Sequence, residues 1–453
     1  MRLTCLGHAF WLLEAGGLRV AMDPVLGARH TGGLFELLPR RTVEARSLRA
    51  DFVLVSHAHF DHFDVPSLHA LAQLDPETVV LTPDALVAEA CRILGFRTVR
   101  LAAPGTRIAL SGDLSLALTP SRAPDVEWGV LAETPGGAVW NLVDSAFSGP
   151  EDVRFVRERV CPGRRLDVAL APLQPLREVA LSTADHVGFV AHHYQHMLAC
   201  AEATGAKWVV PSASGDGHAP PFDAMNAWVY PVSPERAARD FGMYSKGSNV
   251  LVPEVGQALV VEGGEVGLAP GSVSVVRGAA GDPRVFRPVD PAPLFDANLD
   301  GARESELREK AARWARGELS SAVERLRARE PEMVGARFAL EVVLPGDRLA
   351  FSFEPGGGIT EGSWSEYDVL NVVAGSMLVD VIEGRRAWYE PLLAGCLRSV
   401  VRGCVVSEGR ARPIVTGPMF VYEAIGYRES TERAALGRAR ALAERVTSRA
   451  GAR

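Results

Sequence analysis

The sequence predicts an α/β protein followed by a smaller α+β domain, and three patterns indicate this architecture. Short apolar runs typical of strands alternate with helix-like segments as far as residue 211. A stretch rich in proline and aspartate over residues 281–300 is typical of a linker. A strongly charged helix-like segment follows, and further strand-like runs come after it. We therefore predict one domain over residues 1–275, a linker over 276–302 and a C-terminal domain over 303–453.

Each element has a local reason. Residues 3–26 are predicted as two strands, because Gly16-Gly17 between short apolar runs is a hairpin signal. Phe52–Val55 is predicted as a buried strand, and Val65–Leu74 as a helix capped by Asp64. The later elements of the first domain are a strand at 78–83, a helix at 83–94, a hairpin at 129–143, a strand at 168–172, a helix at 187–204 and a strand at 208–211. The C-terminal elements are a helix at 304–329, strands at 337–344 and 348–353, and helices at 367–380, at 388–396 and from about 431.

Composition argues against several classes of function. The chain has 48 basic and 55 acidic side chains, and a formal net charge of −7 does not suggest nucleic-acid binding. No apolar run approaches the roughly 20 residues that span a bilayer. The six cysteines form no CxxC pair and no signal peptide is evident, so we expect a cytoplasmic protein. We expect a small-molecule substrate and neither a nucleic-acid nor a membrane partner; a homo-oligomer is compatible with the sequence.

A dense group of metal-ligand side chains directly follows the strand at 52–55: His57, His59, Asp61 and His62. Residues i and i+2 of an extended segment point to one side, so His57 and His59 can bind one metal ion. Asp61 and His62 lie beyond a bend and can bind a second. Imidazole and carboxylate donors suit zinc, iron or manganese. All eleven histidines lie within the first 218 residues, so the first half of the chain must build a histidine site.

The HxHxDH run after an apolar strand resembles the metallo-β-lactamase superfamily. The segment 7–14 with Asp23-Pro24 is similar to the N-terminal hairpin of the superfamily's phosphodiesterase-like and lactonase-like branches. Asp144 ends a strand where the superfamily has its metal-bridging aspartate. The resemblance covers about residues 1–270 and implies an αββα sandwich with metals at the sheet edges, in most members a hydrolase. His8 and Asp23 are then expected beside the ligands rather than on the metals.

Two departures from the superfamily pattern concern its remaining histidines. The superfamily places a third histidine shortly before the bridging aspartate, but no histidine occurs between His69 and His186. Glu127 or Asp125 is the candidate to replace it, and we assign Glu127 as the ligand and Asp125 as its neighbour. The last ligand is His186 or His218. A carboxylate in place of the third histidine resembles the diiron oxygenase branch of the superfamily.

Three functions remain open from the sequence. The first is a dinuclear hydrolase in which a metal-bound hydroxide attacks an ester, amide, lactone or phosphodiester, with Asp61 as the catalytic carboxylate. The second is a non-haem diiron oxygenase that uses the same pocket. The third is a degenerate metal-binding or scaffold protein. The cofactors expected for the two enzymes are two divalent metal ions, zinc in the first and iron in the second.

Overall fold

The computed structural model describes most of the chain. The described residues are 1–121, 128–175, 191–229, 232–278, 281–282, 284, 293–330, 333–362, 366–402, 404–407, 410–413 and 419–451. The strands of the first part are β1 (Arg2–Cys5), β2 (Trp11–Ala15), β3 (Leu18–Met22), β4 (Arg29–His30), β5 (Phe35–Leu37), β6 (Arg41–Val43), β7 (Phe52–Leu54), β8 (Val79–Thr82), β9 (Val99–Leu101), β10 (Arg107–Ala109), β11 (Ser115–Thr119), β12 (Gly129–Thr134), β13 (Gly137–Asn141), β14 (Val168–Pro172), β15 (Trp208–Ser212), β16 (Asp216–His218), β17 (Asn249–Val250), β18 (Gln257–Glu262), β19 (Glu265–Pro270) and β20 (Val275–Arg277). Its helices are α1 (Ala45–Leu48), α2 (Val65–Leu74), α3 (Ala85–Leu94), α4 (Pro150–Val160), α5 (Ala191–Ala203) and α6 (Pro234–Tyr244).

The C-terminal part contains a second set of elements. Its helices are α7 (Glu304–Trp314), α8 (Ser320–Arg329), α9 (Gly375–Ile382), α10 (Tyr389–Leu393) and α11 (Tyr427–Gly451). Its strands are β21 (Phe338–Val343), β22 (Arg348–Glu354), β23 (Gly358–Glu361), β24 (Val369–Ala374), β25 (Leu397–Val401), β26 (Cys404–Ser407) and β27 (Arg410–Pro413). A π-helical turn, Ala315–Leu319, joins α7 to α8. Short 3-10 turns occur at Thr31–Gly33, Asp223–Ala227 and Phe420–Glu423.

Two sheets pack face to face in the first part of the chain, which we call the sandwich. The larger has the strand order β19-β18-β1-β2-β3-β7-β8-β9, and the other β10-β11-β12-β13-β14-β15-β17. Successive side chains of a strand point to opposite faces, so Leu13 enters the core between the sheets and Leu12 the core on the outer face. Because both faces are covered, strands such as β7 and β14 are apolar along their whole length.

Helices cover both outer faces of the sandwich. Leu68 of α2 and Val87 of α3 belong to the apolar core on the larger sheet. Val153 of α4 and Phe241 of α6 belong to the core on the second sheet. The order of layers is αββα, which confirms the fold predicted from the sequence.

The C-terminal part, which we call the C-terminal unit, has its own five-stranded sheet in the order β23-β22-β21-β24-β25. Helices α7 and α8 pack on this sheet through Leu307, Trp314 and Leu326. Phe338 and Phe351 face them from the strands. The unit therefore has the α+β character that the sequence predicts.

The last helix extends from the C-terminal unit to the sandwich. Ala434, Ala435 and Ala439 of α11 are fully buried and share an apolar core with α2 and α3. Such small side chains let packed helices approach closely. Neither α11 nor any other described helix has the length and apolar character that crossing a membrane requires. The sandwich and the C-terminal unit therefore share an apolar core. The predicted domain boundaries, after residue 275 and before residue 303, stay a proposal.

Two C-terminal segments differ from the sequence prediction. The helix predicted at 367–380 is a strand, Val369–Ala374, followed by a helix, Gly375–Ile382. The valines of β24 are good strand formers, and pairing with β21 and β25 overrides the helical pattern. The helix predicted at 388–396 spans only Tyr389–Leu393, because Gly395 has a left-handed backbone with φ 68°.

Candidate metal centre

The loops at the carboxyl ends of parallel strands bring the site together. β3, β7 and β8 run parallel in the larger sheet, as β13, β14 and β15 do in the second. Asp23 follows β3, residues 55–62 follow β7, and Asp144 follows β13. Parallel strands end at the same edge of a sheet, so these side chains meet at one end of the sandwich.

One group of possible ligand atoms joins the two sheets, and we call it the inter-sheet triad: His57, His62 and Asp144. Nε2 of His62 lies 2.8 Å from Oδ2 of Asp144, and Nε2 of His57 lies 3.8 Å from the same oxygen. Nδ1 of His59 lies 3.0 Å from Nε2 of His57, which places a further imidazole beside this triad. The sheets must therefore pack correctly before the triad exists.

A second group comes entirely from loops of the larger sheet, and we call it the loop triad: His8, Asp61 and His62. Nε2 of His8 lies 3.2 Å from Oδ2 of Asp61. Nε2 of His62 lies 3.3 Å from that oxygen. Since His62 belongs to both triads, the two groups lie side by side.

Asp23 and Ser56 hold the histidines from behind. Oδ2 of Asp23 lies 3.0 Å from Nδ1 of His62, and Asp23 also accepts the Ser56 backbone N–H at 2.7 Å and hydroxyl at 2.8 Å. Because the Ser56 hydroxyl donates to Asp23, its oxygen can accept from Nδ1 of His57, which is 2.9 Å away. Both histidines then carry their proton on Nδ1 and direct the lone pair of Nε2 into the site.

The electrostatics of the two triads are set by burial and carboxylates. Burial, and next the neighbouring imidazole of His62, hold the pKa of His57 well below its ordinary value, so His57 is neutral. Burial would also lower the pKa of His62, but the carboxylates of Asp61 and Asp144 outweigh it and raise that pKa well above the ordinary value. Burial opposes ionisation of Asp61 too, yet His62 and His8 hold the pKa of Asp61 well below its usual range.

Residues around the site have left-handed backbone conformations that non-glycine residues rarely adopt. His8 has φ 53°, Asp23 φ 47° and Val143 φ 51°. Val143 is β-branched and directly precedes Asp144, so its strained backbone aims a carboxylate into the site. Thr31 and Ala213 next to the site are also left-handed. Strained residues gathered at one place are typical of functional sites.

The residues present fit metal ions. Nε2 of His62 is buried and makes no hydrogen bond to any described residue. It nevertheless lies 2.8 and 3.3 Å from carboxylate oxygens of Asp144 and Asp61. A lone pair that faces two carboxylates in a buried place requires a cation among them, either a proton or a metal ion. Nε2 of His62 has one lone pair and can bind only one ion at a time. The two triads together therefore offer the imidazoles of His8, His57 and His62 and the carboxylates of Asp61 and Asp144, donors that suit zinc and iron.

A cavity of about 510 Å³ lies against the triads, and His8, His59, Asp61 and Asp144 line it. This size is within the range of small-molecule sites. The C-terminal unit also lines the cavity, through side chains of α10 and the start of α11. Metal-ligand candidates therefore face a cavity to which both parts of the protein contribute.

The C-terminal unit contacts residues 55–62, which we call the metal loop. The Tyr389 hydroxyl accepts the backbone N–H of Phe60 at 2.9 Å, and Phe60 lies between His59 and Asp61 in the chain. The centre of the Tyr389 ring lies 5.4 Å from that of His59. The Arg438 guanidinium lies over the Phe60 ring at 4.3 Å. These contacts fix the loop that carries four of the predicted ligands.

Comparison with known proteins identifies the fold. Residues 2–111 match the family model described as the beta-lactamase superfamily domain. This match covers the strands of the larger sheet from β1 to β9, together with the metal loop. The sandwich has the metallo-β-lactamase fold. The resemblance noted in the sequence is thus confirmed.

Named relatives are similar to parts of the chain. A UPF0173 metal-dependent hydrolase of Carboxydothermus hydrogenoformans is 35% identical over 100 residues, which are 22% of this chain and 37% of that protein. Another, of Pyrobaculum aerophilum, is 28% identical over 194 residues, 40% of this chain and 78% of that protein. The structure of CmlA, a diiron beta-hydroxylase from Streptomyces venezuelae, has a TM-score of 0.36 and 15% identity, and covers 55% of this chain and 52% of that one. Since these likenesses are partial, the activity must be argued from the site.

The remaining predicted ligands have different outcomes. Glu127, Asp125 and His186 lie outside the described residues. His218 is buried on β16, and its Nε2 donates to the backbone carbonyl of Leu393 at 3.0 Å. It belongs to neither triad and instead ties the sandwich to the C-terminal unit. The last ligand, His186 or His218, stays a prediction.

The sequence underestimated two residues of the site. His8 was expected beside the ligands, but its Nε2 lies among the atoms of the loop triad. The sequence signal for His8 is its position directly after Gly7 in the N-terminal segment that resembles the superfamily. Tyr389 is not among the predicted site residues, yet it reaches the metal loop from 329 residues away in the chain. No local pattern reports such a distant contact.

Proposed function

We propose that the protein is a dinuclear metal-dependent hydrolase of the metallo-β-lactamase fold. The observation that carries this proposal is the pair of triads that share His62 beside a cavity. Two metal ions held there would supply the Lewis acidity that polarises an acyl or phosphoryl bond. The names of the two curated relatives, both metal-dependent hydrolases, support the same class of reaction.

The residues of the chain divide the remaining work. Hydrolysis adds the hydroxyl of water to the acyl carbon and the proton to the leaving oxygen or nitrogen, so a group must move a proton between them. Asp61 lines the cavity and has imidazole nitrogens of His8 and His62 at 3.2 and 3.3 Å from one oxygen. We assign to Asp61 the orientation of the water and the transfer of its proton.

A second candidate is a non-haem diiron oxygenase. The observation in its favour is that the triad which binds through His62 offers two histidines and one carboxylate, the donors of many non-haem iron oxygenases. The predicted ligand Glu127 would add a further hard oxygen donor that favours the ferric state. The two candidates differ in their metal and in their need for dioxygen.

The test is metal analysis of the purified full-length chain, combined with turnover of 4-nitrophenyl esters and amides. For the hydrolase we expect two zinc ions per chain and hydrolysis, both lost in His62→Ala. The exposed His192 supplies the control, and His192→Ala should keep both. Two irons with near-ultraviolet charge-transfer absorption and dioxygen consumption would establish the oxygenase instead. A chain that binds no metal would overturn both and favour a scaffold protein.

A further inference from the structure

The cavity beside the triads has apolar walls from both parts of the protein. Met197 and Ala201 of α5 contribute from the sandwich. Leu392 and Leu393 of α10 contribute from the C-terminal unit, together with Tyr427 at the start of α11. The metal-ligand candidates therefore share the cavity with side chains that have no role in binding a metal.

The charged groups of the cavity are unsuited to an anionic substrate. Among the described residues that line it there is no lysine or arginine. Its acidic residues are Asp61 and Asp144 of the triads, and Asp216. His30 also lines the cavity, but its Nε2 lies 3.8 Å from a carboxylate oxygen of Asp216. A negative charge on the substrate, placed away from the metal-binding triads, would lose its hydration and find no cationic side chain among the described residues. Such burial of an unpaired charge is unfavourable for binding.

The wall from the C-terminal unit is fixed in place. The Leu393 carbonyl accepts from Nε2 of His218 at 3.0 Å, and the Tyr389 hydroxyl accepts from Phe60 at 2.9 Å. These two bonds attach both ends of α10 to the sandwich. Rigid walls let a site select a substrate by shape, because little ordering is required on binding.

We infer that the substrate is an uncharged ester or amide with an apolar body, and that Leu392, Leu393 and Tyr427 form the wall that selects it. The reaction class in this inference rests on the proposed hydrolase function. The C-terminal unit is then part of the active site and acts as its specificity element. A cavity of about 510 Å³ leaves space for an acyl chain or ring system next to the reacting group.

The first experiment measures kcat/KM of the metal-loaded, full-length chain on 4-nitrophenyl butyrate, hexanoate and octanoate, and on the anionic hemiester 4-nitrophenyl adipate. Each methylene that leaves water should raise kcat/KM by about twofold to fourfold, so octanoate should exceed butyrate by at least about tenfold. The adipate should be cleaved at least about tenfold less well than the hexanoate of equal carbon number. Equal rates along the series, or an adipate that matches the hexanoate, would overturn the inference while leaving the hydrolase function intact.

The second experiment tests whether the preference for long acyl chains depends on the wall formed by Leu392, Leu393 and Tyr427. Leu392→Asn and Leu393→Asn keep the number and branching of the side-chain heavy atoms but make the side chain polar. Each should reduce the octanoate-to-butyrate ratio at least about threefold, mainly through KM. Leu299→Asn is the matched control, because Leu299 is 48% exposed and does not line the cavity. If the α10 variants unfold, Met197→Gln tests the wall from the sandwich side. An unchanged ratio in folded wall variants would contradict the assignment.

Binding of the uncharged dye Nile red separates the inference from the proposed function. If no ester or amide is hydrolysed, the hydrolase proposal fails, but the cavity can still be tested. Weaker dye binding in Leu392→Asn than in Leu299→Asn, by at least about fivefold, would retain the apolar site and reject only the reaction. Equal binding in the native chain and all variants would overturn the inference as well.

Discussion

The two triads share His62 but are built differently. The inter-sheet triad takes Asp144 from the second sheet, and the Nδ1 of its other histidine, His57, is held by Ser56 at 2.9 Å. The loop triad comes from one sheet only, and Nδ1 of His8 is buried without a partner among the described residues. Contacts behind a ligand fix its orientation and strengthen metal binding. The comparison indicates that two neighbouring sites with the same types of donor atom can differ in their affinity for a metal ion.

The triads also differ in their position relative to the cavity. His8 and Asp61 of the loop triad line the cavity directly. His57 of the inter-sheet triad is 2% exposed and does not line the cavity. Asp144 is the member of the inter-sheet triad that reaches the cavity. A metal in the loop triad would therefore meet the substrate, and a metal in the inter-sheet triad would be held mainly by buried side chains.

Replacing the shared histidine should have the largest effect. His62→Ala removes a ligand from both triads and leaves Asp61, Asp144 and Asp23 as carboxylates without their central imidazole. We expect loss of both metals and of all turnover above background. Metal analysis and activity at saturating substrate measure this. Retention of one tightly bound metal would show that one of the two triads binds its metal without His62.

Single-triad variants should separate the two sites. We expect apo protein to bind metal in two steps, with the inter-sheet triad filling first. Asp144→Ala should abolish the tighter step and His8→Ala the weaker one, each leaving about one metal per chain. Calorimetric titration with zinc measures both steps, and His192→Ala is the control for the loss of an exposed histidine. If His8→Ala removes the tighter step, the ranking of the triads is wrong.

Much of this site could be predicted from local spacing. His57, His59, Asp61 and His62 follow a buried strand, and the chemistry of their side chains suffices to predict a metal site there. Asp144 could be placed through the resemblance, because it follows a strand where the metallo-β-lactamase superfamily has its metal-bridging aspartate. Parallel strands end at one edge, so residues far apart in the chain become neighbours once the fold is known.

The rest depends on packing that no local pattern reports. Tyr389 reaches Phe60 only because the C-terminal unit shares a core with α2 and α3. His218 has the residue type and position of a ligand, but its Nε2 is engaged by a backbone carbonyl of α10. The strand β24 was predicted as helix because periodicity alone does not distinguish a short apolar run in a strand from one in a helix. Its valines favour the strand, and pairing with β21 establishes it.

Asp23→Asn should weaken both triads without removing a ligand. The carboxylate of Asp23 accepts hydrogen bonds from Nδ1 of His62 and from Ser56. An asparagine amide has only one acceptor oxygen and can replace only some of these hydrogen bonds. The tautomer of His62 is then less firmly set, and we expect metal binding weaker by about 10- to 100-fold. Zinc competition with a chelating dye measures the change in both steps. Asp51→Asn, at an exposed carboxylate away from the site, is the control and should change neither step.

Tyr389→Phe should have the smallest effect and should act on the loop triad first. The variant leaves the buried Phe60 N–H without its acceptor, which we expect to lower the free energy of unfolding by about 1–3 kcal/mol. Because Phe60 directly precedes Asp61, the weaker metal-binding step should decrease several-fold while the tighter step changes less. Tyr422→Phe is the matched control, since the Tyr422 hydroxyl is buried and has no partner among the described residues. Equal changes in both steps would mean that Tyr389 stabilises the fold as a whole and does not position the loop.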